Sequence, residues 1–280
     1  MRSGWRRFAR RKLAVIGLGF VLLVCLVALF APVIAPYGAN EQTTSLLAGP
    51  SGAHLLGTDN LGRDVFSRLV WGSRMSLAFG IVVAGVSLLV GTVVGALAGY
   101  FGRWIDDVLS RIVETFMMIP SLFLLIVVGA LIGRNVVLIM IVAGLTLWPS
   151  NARLARAQVL SLKHELYVDA ARLAGTGNAR ILFGHVMPNG LYPVVANSTL
   201  QVGSAVILEA SLSFLGVGNA NVASWGSVLK SGQPYLTTGP WICLAAGIVI
   251  SLLVLAFNLC GDGLNDMLSG KGQAPRGGTA

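Results

Sequence analysis

Charge is what this 280-residue chain has least of. Asp, Glu, Lys and Arg make up 11% of it, against about 25% in soluble domains. So few charges cannot cover a water-facing globule. Three cysteines, Cys25, Cys243 and Cys260, lie too far apart for a CxxC pair, and three histidines, His54, His164 and His185, make neither an HxxxH nor an HExxH pattern. No metal site is expected from them. The phosphate-binding pattern GxxxxGK[ST] is absent: Gly270-Lys271-Gly272 lacks the upstream glycine and the hydroxyl residue. GxSxG and paired acids in a soluble cleft are missing too. The chain is therefore expected to be no enzyme and to hold no cofactor of its own. Any work it performs draws on an ion gradient or on a partner. Nucleic acid is not an expected partner either. The net charge of +9 comes from basic residues flanking apolar blocks, not from a separate basic domain.

Apolar residues take the place of charge. They make up 55% of the chain and come in long blocks. A helix needs about 20 of them to cross a bilayer. Six blocks qualify as membrane segments: Leu13–Pro32, Met75–Tyr100, Ile112–Ile132 (interrupted by Pro120), Val136–Trp148, Leu191–Gly216 and Trp241–Cys260. The fourth is short unless it runs on towards Ala157. The first follows Arg2, Arg6, Arg7, Arg10, Arg11 and Lys12 and has small residues near Ala28 and Ala31, as a secretory signal would. Its roughly 19 apolar residues exceed the 7–15 of a signal core, and further spans follow, so a retained signal-anchor helix is expected.

Basic residues set the orientation. With the N-terminus inside, the six residues above share the inner side with Arg103, Arg111, Arg153, Arg156, Lys163, Arg172, Arg180, Lys271 and Arg276. The outer loops keep only Arg63, Arg68, Arg74, Arg134 and Lys230. The positive-inside rule then predicts six spans with both termini cytoplasmic. Gly91, Gly95 and Gly99, spaced by four, form a doubled GxxxG on the second span, a face that another helix can approach closely.

Two features bear on function. Glu209 is the clearest ionisable residue inside a span. It reads either as a proton or substrate group of an ion-coupled carrier or, more simply, as a structural acid paired with a neighbouring helix or subunit. The inner loop from Asn151 to Asn189 reads as two short helices. His164–Ala174 forms the first, Gly175-Thr176-Gly177-Asn178 breaks it, Ala179–Met187 resumes, and Pro188 ends it. Such a pair lies on a membrane surface or docks in a partner's groove.

In this loop Asp169-Ala170-Ala171 is followed by Gly175 and then by His185-Val186-Met187-Pro188. The spacing resembles the EAA loop of binding-protein-dependent ABC importer permeases, with Asp169 in place of Glu and Met187 in place of Leu. His54 to Asp64 with Ser67-Arg68-Leu69, Leu208 to Gly216, Ser224-Trp225-Gly226 and Asn258 to Asp266 resemble the C-type subunit of dipeptide, oligopeptide and nickel permeases. The resemblance covers nearly the whole chain.

It implies an all-α integral membrane subunit with the type I ABC importer fold, in a bacterial cytoplasmic membrane. The partners it implies are a paralogous permease subunit in a heterodimer, two ATPase domains that bind ATP and Mg, an extracytoplasmic substrate-binding protein, a peptide substrate and membrane lipid. It assigns ATPase coupling to Asp169, Ala170, Ala171, Gly175, His185 and Pro188. A pathway or inter-subunit role falls to Glu209, Ser211 and Ser213, and an outer-face role to Asp59, Arg63 and Asp64. Related systems also import nickel or glutathione. The expected division is 1–72 (N-terminus, first helix, outer segment), 73–267 (five-helix core with the coupling loop at 164–188) and 268–280 (disordered tail). Between Gly62 and Leu77, apolar residues alternate with Arg63, Asp64, Arg68 and Arg74, which predicts an interfacial helix leading into the second span.

Overall fold

The computed structural model describes residue 9 and residues 11–133, 135–218 and 221–268. Arg2, Arg6, Arg7, Arg10, Arg134, Lys271, Arg276 and the expected tail after 268 lie outside the described residues. Among the described residues the fold is all-helical, with only isolated bridges (Gln42 with Arg63, Thr58 with Asp64) in extended backbone.

The long helices are α1 (Lys12–Leu29), α2 (Val65–Phe101), α3 (Arg103–Met118), α4 (Ser121–Ile132) and α5 (Val136–Leu162). After the short α6 (Leu166–Leu173) come α7 (Met187–Leu215), the short α8 (Trp225–Gly232) and α9 (Pro240–Leu268). Five segments are long and apolar enough to cross a membrane: α1, α2, α5, the run Asn178–Leu215 that ends in α7, and α9. The third expected span is two helices, α3 and α4, bent by 81° at their junction. Pro120 explains the break. A residue before proline is pushed out of the helical region, and Ile119 is extended (φ −87°, ψ 119°).

The fourth segment does run on past Ala157: α5 continues through Pro149 to Leu162. Two other expectations change. No interfacial helix precedes the second span. The α2 helix starts at Val65 and runs unbroken, with Val65, Ser67, Arg68, Leu69 and Val70 all buried, so protein surrounds this stretch on faces that an interfacial helix would leave open. Pro188 does not end the inner helix. A π turn over Leu182–Val186, in which the Met187 N–H reaches back to the Leu182 carbonyl, leads directly into α7. Proline lacks an N–H and its ring crowds the carbonyl four residues earlier. The wider turn, with Gly184 at that position, accommodates both.

The core follows from α2. Its glycine face seats α5: a Cβ on Gly91 would stand 2.6 Å from the Trp148 carbonyl oxygen, and one on Gly99 would stand 2.8 Å from that of Arg156. On another face, Leu69, Leu77 and Ala84 join Val202 and Val206 of α7, Trp225 and Val228 of α8, and Leu253 and Phe257 of α9. Lipid tails offer no hydrophobic drive between helices, so this close fit and interhelical hydrogen bonds hold the bundle. Arg11 pairs with Asp266, tying the start of α1 to the end of α9.

Candidate functional site

The 164–188 loop hangs on one buried valine. Val168 of α6 is fully buried with Ile181, Leu182 and Val186, against Ala96 of α2 and Val159 of α5. Lys163 Nζ donates to the Gly99 carbonyl at 2.9 Å and Tyr100 Oη to Asn178 Oδ1 at 3.1 Å, fastening the loop to the end of α2. Gly175 makes the turn with φ +76°, a region glycine enters without strain. Its N–H reaches the Arg172 carbonyl and that of Thr176 the Ala171 carbonyl.

The other face of α6 is bare. Leu166 is 86% exposed and Leu173 is 91% exposed. With Ala170 between them, they line one side at i, i+4 and i+7. Asp169 stands beside this stripe, half-exposed, and pairs with Arg172 at 2.8 Å. Ala170 faces outward and Ala171 packs inward. His185 and Pro188 are exposed further along. The helix is thus anchored on one side and exposed and apolar on the other.

About 55 Å away, at the opposite end of α2, the residues expected on the outer face form a second cluster. Asp59 is fully buried. It accepts from the backbone N–H groups of Leu61 and Arg63, from Arg63 Nε at 2.8 Å and from Arg68 Nη1 at 2.6 Å. Burial works to raise its pKa, but the hydrogen bonds and charge of Arg63, together with the charge of Arg68, hold it below the usual carboxylate range. Asp64 caps α2 by accepting from the Ser67 N–H at 2.7 Å and meets His54 Nδ1 at 3.0 Å. Asp59, Arg63 and Asp64 are thus brought together as one brace.

Glu209 lies inside the bundle and is 2% exposed. Ser76 Oγ of α2 donates to it at 3.0 Å and Ser213 Oγ at 2.7 Å. Ser76 also accepts from the Trp225 N–H at 3.3 Å, so the acid holds α2, α7 and α8 together. No ion pair to Glu209 occurs among the described residues. Ser211 is not part of this group; it bonds the Ile207 carbonyl on another face of α7.

A second polar knot was not singled out from sequence. Asn151 Nδ2 donates to Ser87 Oγ at 3.0 Å, Ser198 Oγ at 3.1 Å and Gln201 Oε1 at 2.9 Å, while Asn197 Nδ2 donates to Asn151 Oδ1 at 2.8 Å. Asparagine and glutamine among apolar neighbours were the available signal.

Comparison with known proteins adds a family. Residues 91–271 match the model of the binding-protein-dependent transport system inner membrane component, and residues 1–50 that of the N-terminal TM domain of oligopeptide transport permease C. A dipeptide transport system permease protein of Alkalihalophilus pseudofirmus is 38% identical over 272 residues, covering 96% of this chain and 90% of that protein. An oligopeptide transport system permease protein of Bacillus subtilis is 38% identical over 269 residues, covering 95% and 88%. A glutathione transport system permease protein of Pectobacterium atrosepticum is 38% identical over 273 residues, covering 96% and 91%.

Proposed function

This chain belongs to the binding-protein-dependent inner-membrane transport permeases of bacteria, and we propose that it forms half of an importer's pathway for dipeptides or oligopeptides. It does so without catalysis of its own. ATP and Mg are assigned to two ATPase domains, which dock on 164–188 through Asp169, Ala170, Ala171, Gly175, His185 and Pro188. A related permease subunit completes the pathway, and an extracytoplasmic binding protein delivers substrate.

The observation that carries this reading is α6. Leu166 and Leu173 are almost wholly exposed while Val168 locks the same helix to the bundle. A docked ATPase would cover the leucines and, on closing, would push a helix that cannot slide. That push passes through the π turn into α7 and through Val159 and Ala96 into α5 and α2, a rigid-body route to alternating access.

Six spans with both ends cytoplasmic follow if α3 and α4 cross as one bent pair. The Arg11–Asp266 pair supports an even number of crossings. The proposed division is 1–72, 73–267 and 268–280. A glutathione importer shares the architecture, and the Pectobacterium relative is the reason to keep it as a second reading. An ion-coupled carrier using Glu209 is disfavoured by the serine hydroxyls that already occupy both carboxylate oxygens.

The test is ATP-driven peptide uptake by the assembled complex. Gly175→Leu strains a φ that leucine rarely adopts, and Asp169→Lys reverses a charge at the docking face. Both are expected to abolish ATPase association and uptake. Normal association and uptake in both variants would remove 164–188 from the coupling role, and uptake that needs a proton gradient but no ATPase would favour the carrier.

A further inference from the structure

At the outer ends of α2, α7 and α8 lies an open cleft of about 350 Å³ whose charged lining is wholly cationic: Arg63, Arg68 and Lys230. Hydroxyls of Ser227, Ser231 and Tyr235 line the same cleft. Its charges do not balance. Asp59 is shared by two guanidiniums, with Arg63 at 2.7 Å and Arg68 at 2.6 Å from the same oxygen. The Lys230 ammonium has no hydrogen bond or ion pair among the described residues. Asp64 is committed to His54 and the Ser67 N–H, and the oxygens of Glu209 are turned to Ser76 and to Ser213.

Arg68 is the unusual member. Its side chain is 3% exposed, its Nη1 serves Asp59 and reaches Ser231 Oγ at 3.2 Å, and its Nε has no partner. A buried donor of a charged group left without an acceptor is a rare and costly arrangement. An anion entering the cleft would meet the Lys230 ammonium and the Tyr235 hydroxyl, with the Arg63 and Arg68 guanidiniums behind them; the Ser227 and Ser231 hydroxyls already donate to backbone carbonyls. Guanidinium groups favour planar two-oxygen anions.

We propose that this cleft binds the C-terminal carboxylate of a peptide at the mouth of the pathway. The assignment rests on the peptide-importer reading above. The volume is that of a small-ligand site, and the guanidinium lies at depth rather than on an open face, which suits a short peptide end more than a phospholipid phosphate held at headgroup level.

The experiment uses the complete transporter in nanodiscs of zwitterionic lipid, without binding protein. Alanylalanine and its C-terminal amide are the probes, read by saturation-transfer NMR. The free acid is expected to bind about tenfold more tightly than the amide. Lys230→Gln is expected to weaken the acid by about tenfold and leave the amide unchanged. Lys230→Glu should abolish the acid signal, which covers the case in which the milder variant changes little. No preference for the acid in the unaltered complex, or an unaltered preference in both variants, overturns the proposal. Loss of the acid signal when phosphatidylglycerol is added makes this a lipid-phosphate site and overturns it too. ATP-driven uptake of labelled peptide by the unaltered complex with its binding protein is measured in parallel. If that fails, the importer reading falls; if it succeeds while Lys230→Glu still binds the acid, only the cleft assignment falls.

Discussion

Val168 and Leu173 belong to one eight-residue helix, yet the first is fully buried and the second is 91% exposed. Anchor and contact face are thereby separated on a single rigid element, and the two can be removed one at a time. Leu173→Asp places a charge at the C-terminal end of the docking stripe without touching the packing beneath. It is expected to reduce copurification of the ATPase subunit at least tenfold, with the melting temperature of the permease unchanged. Val168→Ala should do the reverse. It costs about 1.5 kcal/mol of local packing, reads out as faster hydrogen exchange across 164–188, and weakens ATPase binding only modestly. Equal effects of the two variants on ATPase binding would refute the separation.

Glu209 offers a test of structural against proton-carrying use. Glu209→Leu leaves the Ser76 and Ser213 hydroxyls without their acceptor in the bundle interior and is expected to destabilise the fold by about 2 kcal/mol or more. Glu209→Gln keeps the shape and one acceptor, so it should lose less stability and retain most ATP-driven uptake. Uptake by the Gln variant is expected to be as insensitive to a protonophore as that of the unaltered chain. A protonophore-sensitive uptake that vanishes in the Gln variant would assign Glu209 to proton coupling.

Asp59 carries a pH dependence. Its folded pKa lies below its unfolded value because Arg63 and Arg68 outweigh burial. The brace it holds therefore contributes its full stability above the unfolded carboxylate range, about pH 4–5, and loses it as pH falls through the lower folded value. Tryptic cleavage in the 54–64 segment, after brief acid incubation and measured at fixed pH, is expected to rise only below about pH 4. Asp59→Asn should be cleaved readily at neutral pH, with little further change on acidification. A variant as resistant as the unaltered chain would mean that the brace does not hold this loop.

Much of this was legible in the sequence because bilayer-length apolar blocks are a strong signal, and the glycines at 91, 95 and 99 announced their own partner face. The failures are local. Pro120 was read as an interruption, but nothing in the sequence gives a bend of 81°. Pro188 was read as a stop, because a π turn that accommodates proline has no composition of its own. The residues from Val65 to Arg74 mix charge with apolar side chains, as an interfacial helix does. Only tertiary partners reveal that Arg68 is buried against Asp59. Likewise, the motif that contained Glu209, Ser211 and Ser213 could not say that Ser213 turns towards the acid and Ser211 away. The charge imbalance beside Lys230 arises between segments distant in sequence, so no window along the chain exposes it.

The glycine face supplies the sharpest stability contrast. Gly95 stands so close to the Ala152 carbonyl that an added Cβ would collide with backbone, which cannot yield as a flexible side chain can. Gly85, nearly three turns earlier on α2, has nothing within 4 Å. The same substitution should therefore have opposite fates on one helix. Gly95→Val is expected to push α5 away from α2, lower the melting temperature of the detergent-solubilised protein by several degrees and loosen Val159, on which the 164–188 loop also rests. Gly85→Ala should be neutral or slightly stabilising, since alanine gains helix propensity of up to about 1 kcal/mol over glycine and meets no neighbour. Thermal unfolding of the two variants side by side is the check. Comparable losses in both would show that glycine serves α2 by flexibility along its length, rather than by admitting α5 at one face.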